Sequence, residues 1–264
     1  MSAKRRVAVV LAAGKGTRMR SELPKVLHPA AGRPLVSWVL DAARGAGCDR
    51  IVVVVGHGAE AVREAVAAPD VDSVLQAEQL GTGHALMQAA PLFAGAEPAT
   101  LLVLSGDVPL VRPATLAALA EAAEAPGTWG ALAVAELDEP GNLGRVLVDG
   151  DGDLERIVEA RDATAEELAI QVTNSGLYAF PAPEVFAVLG RVDNDNAQGE
   201  IYLTDAPGLA VADGRRVAVV RLEDEREGWG VNTPDELARV DRVLAAAPSE
   251  RHEGATIGTE NGAG

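Results

Sequence analysis

Along the first half of the chain, unbroken aliphatic runs alternate with longer segments of mixed hydrophobic and polar residues. Short continuous runs of Val, Ile and Leu are typical of strands that are buried on both faces of a parallel sheet. The pattern predicts strands at residues 7–11, 51–55, 73–76 and 100–104. It predicts helices at residues 35–46, 59–67, 82–89 and 113–123. This alternation favours a doubly wound sheet whose ligands bind at the carboxyl ends of the strands.

After about residue 129, strand-like segments follow one another without long helices between them. They lie at residues 131–136, 145–148, 154–159 and 172–180. Helices are predicted at residues 184–189, 204–212 and 234–246. The fold class predicted for the whole chain is therefore α/β, Rossmann-like and doubly wound, with a mixed, mainly parallel sheet and a smaller mixed-β lobe.

The predicted elements make up one domain, residues 1–247, with a first half at 1–128 and a second half at 129–247. The remaining residues, 248–264, are polar and rich in Gly, Glu and Thr. Such a composition predicts a disordered tail. The sequence lacks the hexapeptide repeats of a left-handed β-helix, so we expect no β-helical domain.

The chain carries a formal net charge of −16, which disfavours nucleic acid and anionic membranes as partners. A phosphate site in so acidic a protein must depend on local cations, backbone N–H groups or a bound metal ion. No apolar run approaches the roughly 20 residues that a membrane-spanning helix needs. The basic start of the chain lacks a signal-type cleavage region, so we expect a cytoplasmic protein. A single cysteine, Cys48, excludes an intrachain disulfide.

A loop of small residues follows the first predicted strand and contains two of the three lysines of the chain. It opens with Leu11, Ala12, Ala13, Gly14 and Gly16. Small side chains let the backbone approach a nucleotide closely and direct N–H groups at phosphate. We interpret Arg18 and Lys25, further along the loop, as cations that hold a triphosphate rather than as solvated surface charges.

Two well-known phosphate loops do not fit this segment. A dinucleotide-binding fingerprint that starts at Gly14 would place its third glycine at position 19, which is Met19. A P-loop needs Gly-Lys-Ser/Thr separated from an earlier glycine by four residues, whereas Lys15 is followed by Gly16 and no such glycine precedes it. The loop also remains irregular for many residues, as Pro24 and Pro34 indicate.

Five segments, in order along the chain, carry a family resemblance. The first is Leu-x-x-Gly-x-Gly-Thr-Arg-Met at residues 11–19, followed by Pro-Lys at 24–25. The others are Gln-Ala-Glu-Gln-Leu-Gly-Thr-Gly-His at 76–84, Ser-Gly-Asp-Val-Pro at 105–109, Asn-Asp-Asn-Ala-Gln-Gly-Glu-Ile-Tyr-Leu-Thr-Asp at 194–205 and Gly-Val-Asn-Thr at 230–233. Together they resemble the sugar-1-phosphate nucleotidyltransferases, and in particular the uridylyltransferase domain of the bifunctional N-acetylglucosamine-1-phosphate uridylyltransferase/glucosamine-1-phosphate acetyltransferase family.

The resemblance implies a nucleotide-diphospho-sugar transferase fold and a role for each matching residue. The implied catalytic residues are Arg18, Lys25 and Asp107. The implied nucleotide-binding residues are Leu11, Ala12, Ala13, Gly14, Gly16, Lys25, Gln76, Gly81 and Thr82. The implied sugar-binding residues are Ser105, Gly106, Gly144, Glu159, Asn174 and Asn232. Asp107 and Asn232 would bind Mg²⁺, for which carboxylate and amide oxygens are suitable ligands.

Several of these residues also have an ordinary structural interpretation. Asp107 precedes a predicted helix and would serve as its N-cap, and Asn232 would be a turn or cap residue. Thr82 would cap the helix that it opens while Gln76 reads the base, since both roles are compatible. Residues 194–205 shape either the sugar side of the site or the fold. Ser105 stands where some family members have an aromatic residue, which weakens the inference about sugar contacts.

The function that the resemblance implies is transfer of UMP from UTP to N-acetylglucosamine 1-phosphate, in a pathway to cell-wall peptidoglycan. The alternatives are a uridylyltransferase for another sugar 1-phosphate, such as glucose or a muramic acid derivative, and a non-catalytic nucleotide-sugar sensor. The acetyltransferase domain of the family is not expected in this chain, which is either a stand-alone enzyme or a truncated one. The oligomeric state is left open.

Overall fold

The computed structural model describes residues 4–246, so the tail predicted at 248–264 lies outside the described residues. The strands are β1 Arg6–Ala12, β2 Pro29–Ala30, β3 Arg33–Pro34, β4 Arg50–Val55, β5 Val71–Leu75, β6 Ala99–Ser105, β7 Thr128–Glu136, β8 Arg145–Val148, β9 Leu154–Val158, β10 Val172–Ala182 and β11 Arg216–Arg221. The α-helices are α1 Leu35–Gly45, α2 Ala59–Val66, α3 Thr82–Met87, α4 Pro113–Glu124, α5 Ala165–Leu168, α6 Glu184–Leu189, α7 Asp205–Ala212 and α8 Pro234–Ala246.

Seven strands lie side by side in the order β11-β7-β10-β6-β1-β4-β5, and β8 and β9 extend the sheet beside β10. β1 pairs in parallel with β4 and β6, β4 with β5, and β7 with β11. β10 is antiparallel to both β6 and β7. The mixed, mainly parallel sheet confirms the predicted fold class. Because β10 lies between β6 and β7, one sheet continues through both halves, and their division at residue 128 stays a prediction.

Alternate residues of the central strands enter two different cores, which explains their unbroken hydrophobic sequences. Val7 and Val9 of β1 join one core with Leu101 of β6, while Ala8 and Val10 join the other. Helices on both faces of a parallel sheet leave neither side of the strand in water, so each position must be apolar. The prediction of buried strands from aliphatic runs is therefore confirmed.

The structure differs from the predicted elements in the less hydrophobic segments. β5 lies at Val71–Leu75, ahead of the predicted 73–76, because it is an edge strand with partly exposed residues. β11, the opposite edge, was not predicted. The loop after β1 is also more ordered than expected, since it contains 3₁₀ turns at Thr17–Met19 and Lys25–Leu27.

Backbone hydrogen bonds connect the carboxyl ends of β1, β4 and β6. Gly106 donates to Leu11 O at 2.9 Å, His57 donates to Ala13 O at 3.2 Å, and Gln76 donates to Val55 O at 2.8 Å. Gln76 follows β5, so the carboxyl ends of β1, β4, β5 and β6 and the loops that follow them lie at the same edge of the sheet. Among the described residues, no helix is long and apolar enough to cross a membrane.

Candidate active site

Lys25 is held at the bottom of the glycine-rich loop by the shape of the loop itself. Gly16 has a φ of +58°, and a Cβ placed on it would lie 2.7 Å from Lys25 Cβ. Only glycine tolerates both this conformation and this contact. Gly14 has no neighbouring atom within 4 Å of an added Cβ, so the backbone at Gly14 borders open space.

The Lys25 ammonium joins the two residues that the resemblance assigns to metal binding. Its Nζ donates to Asp107 Oδ2 at 2.6 Å and to Asn232 Oδ1 at 3.1 Å. Arg18 also donates to Asn232 Oδ1, at 2.9 Å. The side chains of Lys25 and Asp107 are only 17% and 13% exposed, so this contact is shielded from bulk water. Residues separated by up to 214 positions in sequence thus meet at one point.

Asp107 does not cap the helix that follows it. α4 begins at Pro113, Arg112 is its N-cap, and no side chain caps it. The helix-cap interpretation of Asp107 is therefore wrong. Its side chain is directed to Lys25, whereas its backbone oxygen accepts from Val231 N at 2.9 Å.

Asn232 is likewise not the residue that caps α8. Thr233 Oγ1 accepts from Glu236 N at 3.3 Å, and Glu236 Oε2 accepts from Asn232 N at 2.7 Å and Thr233 N at 2.9 Å. This reciprocal arrangement is a capping box. It fixes the backbone of Asn232 and leaves its side chain to the cations. The cap interpretation of Asn232 is thus wrong, although Thr233-x-x-Glu236 was visible in the sequence.

The carboxylate and amide oxygens at this point are suitable ligands for a hard divalent cation. Asp107 Oδ2 and Asn232 Oδ1 already share one cation, the Lys25 ammonium, so both oxygens converge on a common position. Within residues 4–246, no group of three or more His, Cys, Asp or Glu side chains could hold a metal ion. A cation here would have few protein ligands, as is usual for Mg²⁺ that also binds substrate phosphates.

The buried Gln76 lies beside Gly81 and Thr82, as the motif predicts for a base-reading loop. Its Nε2 donates to Gly81 O at 3.1 Å and contacts His84 Nδ1 at 3.1 Å. Thr82 does not cap α3, because its hydroxyl instead accepts from Leu203 N at 3.1 Å. The predicted cap role of Thr82 is therefore wrong.

The segment 201–203 packs against the loop at residues 76–84. Ile201 N donates to Leu80 O at 2.8 Å, and Gly83 N donates to Ile201 O at 2.8 Å. Gly81 has a φ of +108°, and a Cβ on it would lie 2.4 Å from Ile201 O. Part of the motif at 194–205 thus shapes the fold around the loop at residues 76–84, which is one of the two alternatives that the sequence left open.

Thr204, the next residue of the 194–205 motif, contacts a second cluster of predicted site residues, those assigned to sugar binding. Thr204 Oγ1 donates to Glu159 Oε1 at 2.9 Å, and Glu159 Oε2 lies 3.6 Å from where a Gly144 Cβ would stand. Asn174 N donates to Gly144 O at 2.9 Å. Gly144, Glu159 and Asn174 are therefore neighbours, with Thr204 as a fourth member that sequence reasoning did not single out.

A local irregularity in β10 orients Asn174. The pairing register of β10 with β7 shifts between Asn174 and Tyr178, as at a β-bulge, which commonly redirects side chains at functional sites. Asn174 Oδ1 accepts from Gly176 N at 3.1 Å, and its Nδ2 donates to Tyr178 Oη at 2.6 Å. Ser105 Oγ lies 3.5 Å from a Cβ placed on Gly176, so Ser105 borders the same bulge, whereas a Cβ on Gly106 would meet Leu11 O and Val26.

Carboxylates accumulate around Glu159. Burial raises the pKa of Glu159, although the Thr204 hydroxyl acts in the opposite direction. The pKa of Asp205 is raised to about 6, first by burial and then by the negative charges of Glu159, Asp193 and Asp162. Asp205 is the first residue of α7, where the helix dipole favours an anion. Burial and like charges therefore outweigh the dipole.

We expect Asp205→Asn to stabilise the protein at pH 8 but not at pH 4. A carboxyl whose pKa is raised from 3.8 to about 6 on folding costs stability once pH rises through that range. After allowance for solvent screening, the gain at pH 8 should be about 1 kcal/mol, or about 2–4 °C in Tm. Thermal unfolding at both pH values measures it. An equal gain at pH 4 would contradict the electrostatic cause.

Together, the glycine-rich loop, the strand-end carboxylate and the paired cations define a class of α/β protein that binds phosphate groups at the edge of its sheet. A model of the MobA-like NTP transferase domain matches residues 8–166. The chain therefore belongs to the MobA-like NTP transferase family.

Curated relatives support the narrower resemblance stated from the motifs. The chain is 53% identical over 235 residues to Bifunctional protein GlmU of Burkholderia orbicola (strain AU 1054), which covers 89% of this chain and 51% of that protein. It is 52% identical over 235 residues to the protein of the same name from Burkholderia multivorans, with the same coverage. The chain thus spans about half the length of the curated relatives it matches.

A solved structure of the same fold extends the comparison beyond detectable sequence similarity. The crystal structure of UDP-glucose pyrophosphorylase complexed with UDP-glucose matches 91% of this chain and 98% of that chain with a TM-score of 0.72. At 19% identity, this likeness concerns the fold alone. The predicted fold and family are confirmed, while the roles of individual site residues stay predictions.

Proposed function

We propose that this chain transfers UMP from UTP to N-acetylglucosamine 1-phosphate and releases pyrophosphate. The observation that carries the proposal is the position of the Lys25 ammonium. It lies 2.6 Å from Asp107 Oδ2 and 3.1 Å from Asn232 Oδ1, beside the glycine-rich loop. The specific substrates come from the motif resemblance, and 53% identity to Bifunctional protein GlmU supports them.

The reaction is an in-line displacement at phosphorus. An oxygen of the sugar phosphate forms a bond to the α-phosphorus of UTP, and the bond from that phosphorus to the β-bridging oxygen breaks. The electron pair leaves with pyrophosphate, so no proton has to move. A phosphate with a second pKa of about 6 is already ionised near neutral pH, and no general base is required. Catalysis then depends on positioning and on charge neutralisation.

The proposed roles follow from where each group lies. Asp107 and Asn232 would hold Mg²⁺, which on binding neutralises phosphate charge and polarises the attacked phosphoryl group. Lys25 and Arg18 neutralise the charge that develops on the α-phosphate and the leaving group. Backbone N–H groups between Ala13 and Gly16 bind the phosphates.

Gln76 supports a preference for uracil. Because the two N–H groups of Nε2 are directed to Gly81 O and His84 Nδ1, the group that Gln76 can offer a base is its carbonyl oxygen, an acceptor. Uracil presents an N3–H donor, whereas N3 of cytosine is an acceptor. Glu159 and Asn174 would bind the hydroxyl and amide groups of the amino sugar. A cytoplasmic location is part of this proposal.

The experiment is a pyrophosphate-release assay over UTP, CTP, GTP, ATP and dTTP with several sugar phosphates, with Mg²⁺ present. We expect UTP to exceed CTP, GTP and ATP, and N-acetylglucosamine 1-phosphate to exceed glucose 1-phosphate, each by at least ~10-fold in kcat/KM. Preference for a different sugar phosphate would support the alternative uridylyltransferase. Nucleotide-sugar binding without pyrophosphate release with any pair would support a non-catalytic sensor.

A further inference from the structure

An ion pair that the motifs do not include joins the two loops on which Asp107 and Asn232 lie. Arg112 follows Asp107 by five residues, and Glu227 precedes Asn232 by five residues. Arg112 is the residue before α4, whereas Glu227 belongs to the 3₁₀ turn Glu225–Gly228. The two residues are therefore 115 positions apart in sequence, and each lies five residues from a proposed cation ligand.

Both oxygens of the Glu227 carboxylate are occupied by Arg112. Arg112 Nε donates to Oε1 at 2.7 Å, and its second guanidinium nitrogen donates to the same oxygen. The Arg112 backbone N–H donates to Oε2 at 2.9 Å. Glu227 is only 2% exposed, whereas Arg112 is 40% exposed and also lies 3.7 Å from the exposed Glu223. The arginine thus covers a buried carboxylate, which would be left without its counter-charge if Arg112 were removed.

A second connection joins the same two loops nearer the site. Val231 N donates to Asp107 O at 2.9 Å, next to the side chains that meet Lys25. A Cβ on Gly230 would lie 3.6 Å from both Asp107 Oδ2 and Asn232 Nδ2, so the loops are closely packed here. One backbone bond alone allows the loops to rotate about it. With the ion pair as a second connection, the two loops are held together at two separate points.

We propose that Arg112 and Glu227 are positioning residues for the divalent cation site of the proposed function. Mg²⁺ demands near-ideal octahedral geometry with short ligand distances, so the separation of Asp107 Oδ2 from Asn232 Oδ1 must be held closely. Neither Arg112 nor Glu227 touches the site. Their effect passes through the backbone from Arg112 to Asp107 and from Glu227 to Asn232.

The test is Mn²⁺ binding to the full chain, measured by loss of the free-ion electron paramagnetic resonance signal. Arg112→Gln and Glu227→Gln should each weaken Mn²⁺ binding by about 10-fold or more, the usual cost of losing a residue that orients a metal ligand. The Mg²⁺ concentration that gives half-maximal pyrophosphate release should rise by a similar factor. The KM for the sugar phosphate should rise by a smaller factor, because Glu159 follows β9 and Asn174 lies on β10, outside the two loops.

Arg6→Gln is the matched control. Arg6 and Glu124 form another two-bonded pair, at 3.0 Å for each bond, with side chains 18% and 17% exposed. Arg6 begins β1, at the end of the strand opposite the site, so its loss should lower Tm without changing Mn²⁺ binding. Arg112→Lys, which keeps a charge but loses the paired geometry, should fall between wild type and Arg112→Gln.

Each outcome bears on the inference. Wild-type Mn²⁺ binding in a folded Arg112→Gln protein overturns it, as does equal weakening in Arg6→Gln. If Arg112→Gln fails to fold, Mn²⁺ binding is measured with Arg112→Lys instead, and wild-type binding by that variant overturns the inference. A wild-type chain that binds no Mn²⁺ also overturns it. A wild-type chain that binds Mn²⁺ but releases no pyrophosphate contradicts the proposed function alone, since the Mn²⁺ titration still compares the variants.

Discussion

Asp107→Ala is expected to lower the kcat of pyrophosphate release by at least ~1000-fold, the largest effect of any single change that we predict. The side chain supplies the only carboxylate that contacts Lys25 Nζ in the described part of the chain, at 2.6 Å. Its loss removes one proposed cation ligand and the counter-charge of Lys25 together. A Lewis-acidic metal stabilises such a transition state by several kcal/mol, and a loss of ~4 kcal/mol lowers the rate by ~1000-fold.

The same change should leave the fold intact. The connection between the loops at Asp107 runs through its backbone oxygen, which accepts from Val231 N and is kept in the alanine variant. Circular dichroism and Tm check this, and Asp107→Asn serves as a control of similar size that retains one oxygen ligand without charge. We expect the asparagine variant to be more active than the alanine variant. Near-wild-type turnover by folded Asp107→Ala would refute the metal assignment.

Much of this fold could be predicted from the sequence because burial on both faces leaves a direct signature. Residues 7–12 of β1 are all apolar, since helices cover both sides of the sheet: Val9 enters one core and Val10 enters the other. The sequence also predicted that the glycine-rich loop and Asp107 lie close together, because the carboxyl ends of neighbouring parallel strands meet at one edge of the sheet. The edge strand β5 was misplaced since its partly exposed residues weaken that signature.

The rest of the site depends on contacts that no local pattern encodes. Thr82 opens α3 and looks like a cap in sequence, yet Leu203 N donates to its hydroxyl across 121 positions. Glu227 reads as one of several acidic residues in a charged segment, and its burial beneath Arg112 appears only in the folded chain. Such long-range pairings become predictable only when the packing of the loops is known.

Lys25→Met is expected to lower kcat by about 100- to 1000-fold, the usual cost of removing one preorganised group that stabilises transition-state charge. Methionine keeps an unbranched stem, so the contact of residue 25 with Gly16 is retained. Lys4→Met is the matched control, because it changes the net charge equally at the other end of β1. A similar loss in both variants would point to net charge rather than to the site.

The same substitution should have the opposite effect on metal binding. The Lys25 ammonium and a divalent cation require the same two oxygens, Asp107 Oδ2 and Asn232 Oδ1, so they compete in the enzyme without nucleotide. Removing the ammonium should therefore tighten Mn²⁺ binding, measured by electron paramagnetic resonance, while catalysis falls. If a divalent cation bound to these oxygens, the Lys25 ammonium would be available to neutralise the phosphates of a bound nucleotide. Weaker Mn²⁺ binding in Lys25→Met would mean that Lys25 organises the two oxygens instead of competing for them.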